Sequence, residues 1–263
     1  MNTLSQTATD QIPIRIKLEV LLKAYEYMCC AAEMAQVYDA NRDICKYVHS
    51  TSRGHEAIQL AIGMQLLPQD YVAPYYRDES ILLGIGITPY ELMLQLLAKK
   101  EDPFSGGRTY YGHPSLRLPD KPKIPHQSSA TGMQVIPTTG VAQGIQYLEK
   151  SKIRQYDDGE LPPVVVCSLG DGALTEGEVS EALQMASLHQ YPILYVVQDN
   201  GWSISAQAKE FRSADALEFA KAFKNIETRK VDGWDFIHCY HEIGNILQTI
   251  REERRPFLVH APV

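Results

Sequence analysis

A chain of 263 residues has room for one large α/β domain with a substantial core. Its formal net charge of −7 argues against a nucleic-acid partner, and no apolar run approaches the length of a membrane span. Cys29, Cys30, Cys45, Cys167 and Cys239 show no metal-type spacing and MNTLSQTATDQ lacks the regions of a signal peptide, so reduced thiols and a cytoplasmic location are expected.

Residues 1–12 read as a flexible arm, and 13–263 as a single domain. A helix is expected from Lys17 to about Tyr38, with Leu18, Leu21, Leu22, Tyr25 and Met28 on its apolar side. The stretch 49–54 reads as a loop. The helix after it, Glu56 to Leu67, is apolar nearly all round and should be buried. Tyr76 and Arg77 then precede a short apolar helix, and an arginine fork is a natural partner for diphosphate oxygens. An ordinary surface arginine beside a core tyrosine is the plainer alternative. Thr88-Pro89-Tyr90-Glu91 has cap, first-turn proline and capping glutamate, so a helix runs from it to about Lys100. Asp102 to Gln127 is rich in proline and glycine and should be a long loop. Ser128 to Gly144 leads into another helix, and Ser151 to Pro163 is a polar linker.

The run from Val164 to Ser205 carries the strongest signal. Val164 to Leu169 is a buried strand ending at Gly170-Asp171-Gly172. Thr175 and Glu178 read as a capping box for a helix to Gln190, and Ile193 to Val197 is a second buried strand ending at Asp199-Asn200-Gly201. In such a βαβ unit Asp171 and Asn200 both lie past the carboxyl ends of neighbouring strands, where open sheets bind ligands. A carboxylate and an amide oxygen suit magnesium or calcium, adjacent glycines admit a close ligand, and a helix N-terminus favours an anion. Together they suggest a metal–diphosphate site, although Gly-Asp-Gly alone is commonly only a turn. Beyond Asn200, Ser213 could cap a helix to about Phe223, Ile226 to Val231 is a strand, Asp235 to Glu253 a helix, and Pro256 to Ala261 the last strand. Strands and helices alternate, so the expected class is α/β, a mostly parallel sheet with helices on both faces.

Asp171 and Asn200 are 200 − 171 = 29 residues apart. This spacing resembles the thiamin diphosphate motif, in which GDG is followed after a fixed interval by a pair ending in asparagine. Here the pair reads Asp199-Asn200 where the family often has Asn-Asn. With Tyr76-Arg77, the pattern is similar to the alpha subunit of the decarboxylating component of 2-oxo acid dehydrogenases. Branched-chain (2-oxoisovalerate) members are the nearest in pattern, through Asn200-Gly201-Trp202. The resemblance spans about Arg53 to Ala261 and implies the thiamin-diphosphate-binding fold. It implies that Asp171, Asn200 and the Trp202 carbonyl hold Mg2+, and that Tyr76, Arg77, Gly170, Asp171, Gly172, Ala173 and Asn200 contact the cofactor. Ser129 and Thr131 match the turn whose main chain holds the aminopyrimidine, to within one position. Arg108 and His113 match an active-site border segment loosely. Gln198 stands where some members have a basic diphosphate contact. Met133 replaces a threonine ligand, so no potassium ion is expected.

The implied chemistry is decarboxylation of a 2-oxo acid on thiamin diphosphate and transfer of the acyl group to a lipoyl arm on an acyltransferase component. Family alpha subunits continue past a strand like PFLVHA to a loop bearing an active-site histidine. The chain is therefore expected to be truncated at its C-terminus, with His260 excluded from that role and no catalytic residue assigned. The activating glutamate would come from a beta-type subunit or the second half of a fused chain, so an oligomer is expected and the chain alone should be inactive. A transketolase-like or acetoin-cleaving enzyme, and a non-catalytic module of the same fold, are the alternatives. A dinucleotide enzyme is disfavoured because no G-x-G-x-x-G follows a strand.

Overall fold

The computed structural model describes residues 16–45, 48 and 50–263. The arm expected over 1–12 and the first residue of the 49–54 loop lie outside the described residues. The chain folds as α1 (Leu18–Ala40), α2 (Glu56–Gly63), β1 (Tyr71–Ala73), α3 (Glu79–Gly84), α4 (Pro89–Leu96), α5 (Val135–Lys150) and β2 (Val165–Gly170). It continues as α6 (Gly177–His189), β3 (Ile193–Asp199), β4 (Trp202–Ser203), β5 (Ala206–Gln207), α7 (Ala208–Phe211), α8 (Ala216–Ala220), β6 (Glu227–Lys230), α9 (Phe236–Glu253) and β7 (Phe257–Pro262).

Five strands form one sheet in the order β1-β2-β3-β7-β6, every neighbouring pair parallel. Alternation along the buried strands sends side chains to two cores. Val164, Val166, Leu194, Val196, Phe257 and Val259 face the layer of α1, α2, α3 and α9. Val165, Cys167, Leu169, Ile193, Tyr195, Val197 and Leu258 face α5, α6 and α8. The expected α/β class with helices on both faces is what is found. On the first face, α2 and α3 touch backbone to backbone: a Cβ on Gly63 would lie 2.6 Å from the Ile81 carbonyl oxygen.

Local chemistry explains several boundaries. The Thr88 box forms as expected, with Glu91 N–H donating to Thr88 Oγ1 at 3.2 Å and Thr88 N–H to Glu91 Oε2 at 2.7 Å. The helix near 216 is capped by Asp215, not Ser213, because Asp215 has Glu218 three residues on and closes a capping box with it. The expected apolar side of α1 is also corrected. Leu18, Leu22 and Tyr25 are exposed, whereas Ala24, Ala31, Met34, Ala35 and Tyr38 are buried. The core contacts the later turns through Ala31, Met34 and Tyr38. Cys29 is exposed, while Cys45, Cys167 and Cys239 are buried, and all five are free thiols.

Candidate active site

The site is built where β2 and β3 end side by side, with Gly170 in register with Gln198. After β2 the chain turns into a 3-10 helix, Asp171–Thr175. The Thr175–Glu178 capping box expected from sequence does not form. Thr175 Oγ1 donates to the Gly172 carbonyl at 3.0 Å, and α6 begins at Gly177 with Glu176 as its N-cap. The tighter turn intervenes because the residues after Asp171 close their own hydrogen bonds first. After β3, Gly201 N–H donates to Asp199 Oδ1 and Trp202 N–H to Asn200 Oδ1, both at 3.0 Å. These two consecutive turns swing the chain into the β4–β5 hairpin. Gly172 is required there by close packing: a Cβ on it would lie 2.6 Å from Ser203 Oγ. The glycine thus brings the hairpin against the Asp171 turn while its main chain still lines the cleft.

One cleft is lined by Tyr76, Arg77, Ser129, Thr131, Gly170, Asp171, Gly172, Ala173, Asn200 and Trp202. These are the ten residues singled out from sequence for cofactor and metal, drawn from four separate loops. His113 also lines the cleft, but Arg108 does not, its Nε donating to the Ser105 carbonyl at 2.6 Å. Tyr75, Gln134, Gln198, Ser203 and Ile204 are also part of the wall.

Asp171, which lines the cleft, belongs to a buried group of charged side chains. Asp171 is 2 % exposed, and its Oδ2 has no hydrogen-bond partner. Arg212, just beyond α7, directs Nη2 onto both oxygens of Asp199 at 2.9 and 2.7 Å. Its other terminal nitrogen, Nη1, lies 3.6 Å from Asp171 Oδ2 and is itself without a hydrogen bond. His260 Nε2, on β7, is 2.7 Å from Asp199 Oδ2. Burial would raise the Asp199 carboxyl, but the hydrogen bonds from His260 and Arg212 hold it well below the usual carboxylate range. Burial first, and then the Asp199 charge, push Asp171 upward.

Beneath the cleft lies a polar cluster that sequence reasoning missed. Gln198 Nε2 donates to Asp78 Oδ1 at 2.7 Å and to Ser168 Oγ at 2.8 Å. Its Oε1 is 2.8 Å from His55 Nδ1 and accepts from Gln59 Nε2 at 2.9 Å. Both amide protons are committed within the protein, so the amide has no donor left for a phosphate. No local pattern marks His55, Asp78 or Arg212; polar residues on otherwise apolar helices and strands were the one signal that could have found part of the cluster.

The donors present suit a hard divalent cation. Asp171 Oδ2 is buried and unsatisfied, Asn200 Oδ1 keeps a second lone pair, and the Trp202 carbonyl is close in sequence. Among the described residues no group of three or more His, Cys, Asp or Glu gathers at one point. A cation here would therefore take further oxygens from its ligand, as magnesium does beside phosphates. Arg77 and the first N–H groups of the 171–175 turn supply donors for such an anion.

Known proteins resemble this chain in sequence and in fold. The chain is 29% identical over 262 residues to 2-oxoisovalerate dehydrogenase subunit alpha 2, mitochondrial, of Arabidopsis thaliana, a match covering 97% of this chain and 51% of that protein. It is 27% identical to the 2-oxoisovalerate dehydrogenase subunit alpha of Bacillus subtilis, over 79% of this chain and 59% of that protein. The chain thus spans about half the length of the curated relatives it matches. Among solved structures, a transketolase from Campylobacter jejuni superposes with a TM-score of 0.59 at 18% identity, covering 94% of this chain and 38% of that one, and shows the shared fold. The family model described as dehydrogenase E1 component matches residues 28–262, and the chain belongs to that family.

Proposed function

We propose that the chain is the alpha-type portion of a thiamin-diphosphate-dependent 2-oxo acid dehydrogenase, binding the cofactor through Mg2+. The observation that carries this reading is the buried, unpartnered Asp171 Oδ2 in a cleft it shares with Asn200 and Arg77. In this reading Asp171, Asn200 and the Trp202 carbonyl hold the cation. Tyr76 and Arg77 grip the diphosphate with the Gly172 and Ala173 main chain, and the turn at Ser129 and Thr131 holds the aminopyrimidine. The bound cofactor supplies the carbon nucleophile and electron sink for decarboxylation. The protein's share is to orient that group, to close the floor with the Gln198 cluster, and to shield one side with the β4–β5 hairpin.

Two features support a two-chain enzyme. Among the described residues lining the cleft Asp171 is the one carboxylate, and it is reserved for the cation, while Asp199 is tied to Arg212 and His260. The relatives are named as subunits. A beta-type chain or fused second half would supply the missing acid, and a lipoyl-bearing acyltransferase would receive the acyl group. Those names also favour a branched 2-oxo acid as substrate.

Calorimetry of thiamin diphosphate with Mg2+ tests the site. Asp171→Ala should weaken Mg2+-dependent binding at least 100-fold without unfolding the protein. Unchanged affinity would remove the assignment. Decarboxylation assays with the partner chain, on branched 2-oxo acids against pyruvate, test the substrate.

A further inference from the structure

Arg212 lies outside every motif read from the sequence, yet it reaches two carboxylates, Asp199 and the cleft-lining Asp171. Its Nη2 is committed to Asp199. Its Nη1 faces Asp171 Oδ2 across 3.6 Å, and neither of these two buried atoms has a hydrogen bond. That gap is too long for a hydrogen bond and short enough for strong attraction in a buried setting. The guanidinium thereby offsets part of the Asp171 charge while the oxygen's lone pairs stay free. Without the guanidinium, Asp171 and Asp199 would be two buried like charges with no cation between them, with the Asn200 amide in the same cleft as Asp171, and a hard cation would be drawn to them.

We propose that Arg212 is a resident counter-ion that makes capture of a divalent cation depend on the diphosphate. This rests on the cofactor site argued above. A cation arriving alone meets the guanidinium beside its ligand oxygen and gains little. A cation arriving with a diphosphate brings negative charge that offsets the arginine and oxygens that complete its shell. Cation and diphosphate are then coupled, each raising the other's affinity by the same factor.

Mn2+ is the probe, its free concentration read by electron paramagnetic resonance in the full-length protein with its partner chain, with and without thiamin diphosphate. Arg212→Gln should tighten Mn2+ binding in the absence of cofactor at least tenfold and shrink the coupling factor by a similar amount. Arg212→Lys, which keeps the charge, should retain coupling near the wild-type value. The Asp199→Asn background removes the carboxylate that Arg212 neutralises, and there too Arg212→Gln should tighten binding of Mn2+ alone. Cofactor-free affinity within threefold of the parent in both backgrounds would overturn the proposal. Loss of the fold in both would also overturn it, because the arginine would then be structural. Failure of the wild type to bind Mn2+ even with thiamin diphosphate would instead refute the cofactor site, a result read in a separate arm.

Discussion

His55 and Asp78 are held on the two ends of one amide, Gln198, and burial shifts them in opposite directions. Burial lowers the His55 imidazole to about 4 against the Gln198 hydrogen bond, and raises the Asp78 carboxyl to about 7. Between about pH 4 and 6.5 an unfolded histidine binds a proton that folded His55 refuses, so its contribution to stability is full above that window and lost as pH falls. Folded Asp78 keeps a proton that the unfolded aspartate releases, so its contribution is present at low pH and lost as pH rises toward 7. The two slopes oppose each other across one window. His55→Gln, which can still donate to Gln198, leaves only the Asp78 slope. Relative to wild type the variant should gain stability on going from pH 6.5 to 4, by up to about 1.4 kcal/mol per unit. Urea unfolding at several pH values measures this, and a constant gap between the proteins would refute it. None of this was legible in the sequence, because His55 and Gln198 are 143 positions apart and meet only in the folded chain. Asp171 and Asn200 could be placed because each ends a strand with a recognisable apolar run.

Elements were easiest to read where their signals were local. The β2–α6–β3 unit, the largely apolar α2 and the Thr88 cap follow from neighbours a few residues apart. The face of α1 did not, because an apolar stripe shows which side could be buried and tertiary packing decides which side is. The same limit hid the contact that ties the sheet's amino edge to α9. Asp70, just before β1, accepts from the Leu67 and Val164 N–H groups and from both terminal nitrogens of Arg251, the latter at 2.8 and 2.6 Å. Asp70 is 0 % and Arg251 5 % exposed, so neither charge can turn to water if the other is lost. Removing one partner of such a pair costs about 3–5 kcal/mol. Arg251→Met should therefore lower unfolding free energy by about that much, and Asp70→Asn/Arg251→Met should lie closer to wild type than the sum of the single changes. A double-mutant cycle in urea reads the coupling, and additive losses would contradict it. Cofactor affinity should not change, because the pair lies at the opposite edge of the sheet from the cleft.

At the scale of the whole molecule the cleft has a floor and walls but an open mouth, and its rim is built against ordinary surface logic. Trp202 is half exposed, and Ile204, at the tip of the β4–β5 hairpin, is fully exposed. Ile204 also has φ +54°, a conformation that a β-branched residue adopts only at a cost of about 1–3 kcal/mol. A side chain that is both strained and wet contributes nothing to the chain by itself. Its contribution must come from a surface that covers it, and a second chain completing the active site would sit at that mouth. Ile204→Asn separates the two effects, since asparagine tolerates the left-handed conformation and removes the apolar contact. The variant should be more stable alone, by about 1 kcal/mol from the relieved backbone. It should also associate with a beta-type partner at least tenfold more weakly, the loss expected for an anchor buried at an interface. Thermal unfolding of the chain and sedimentation of the mixed subunits give the two readings. Association unchanged by the substitution would mean that the partner leaves the hairpin tip bare, and the strain at Ile204 would then have to be explained by contacts within the chain itself.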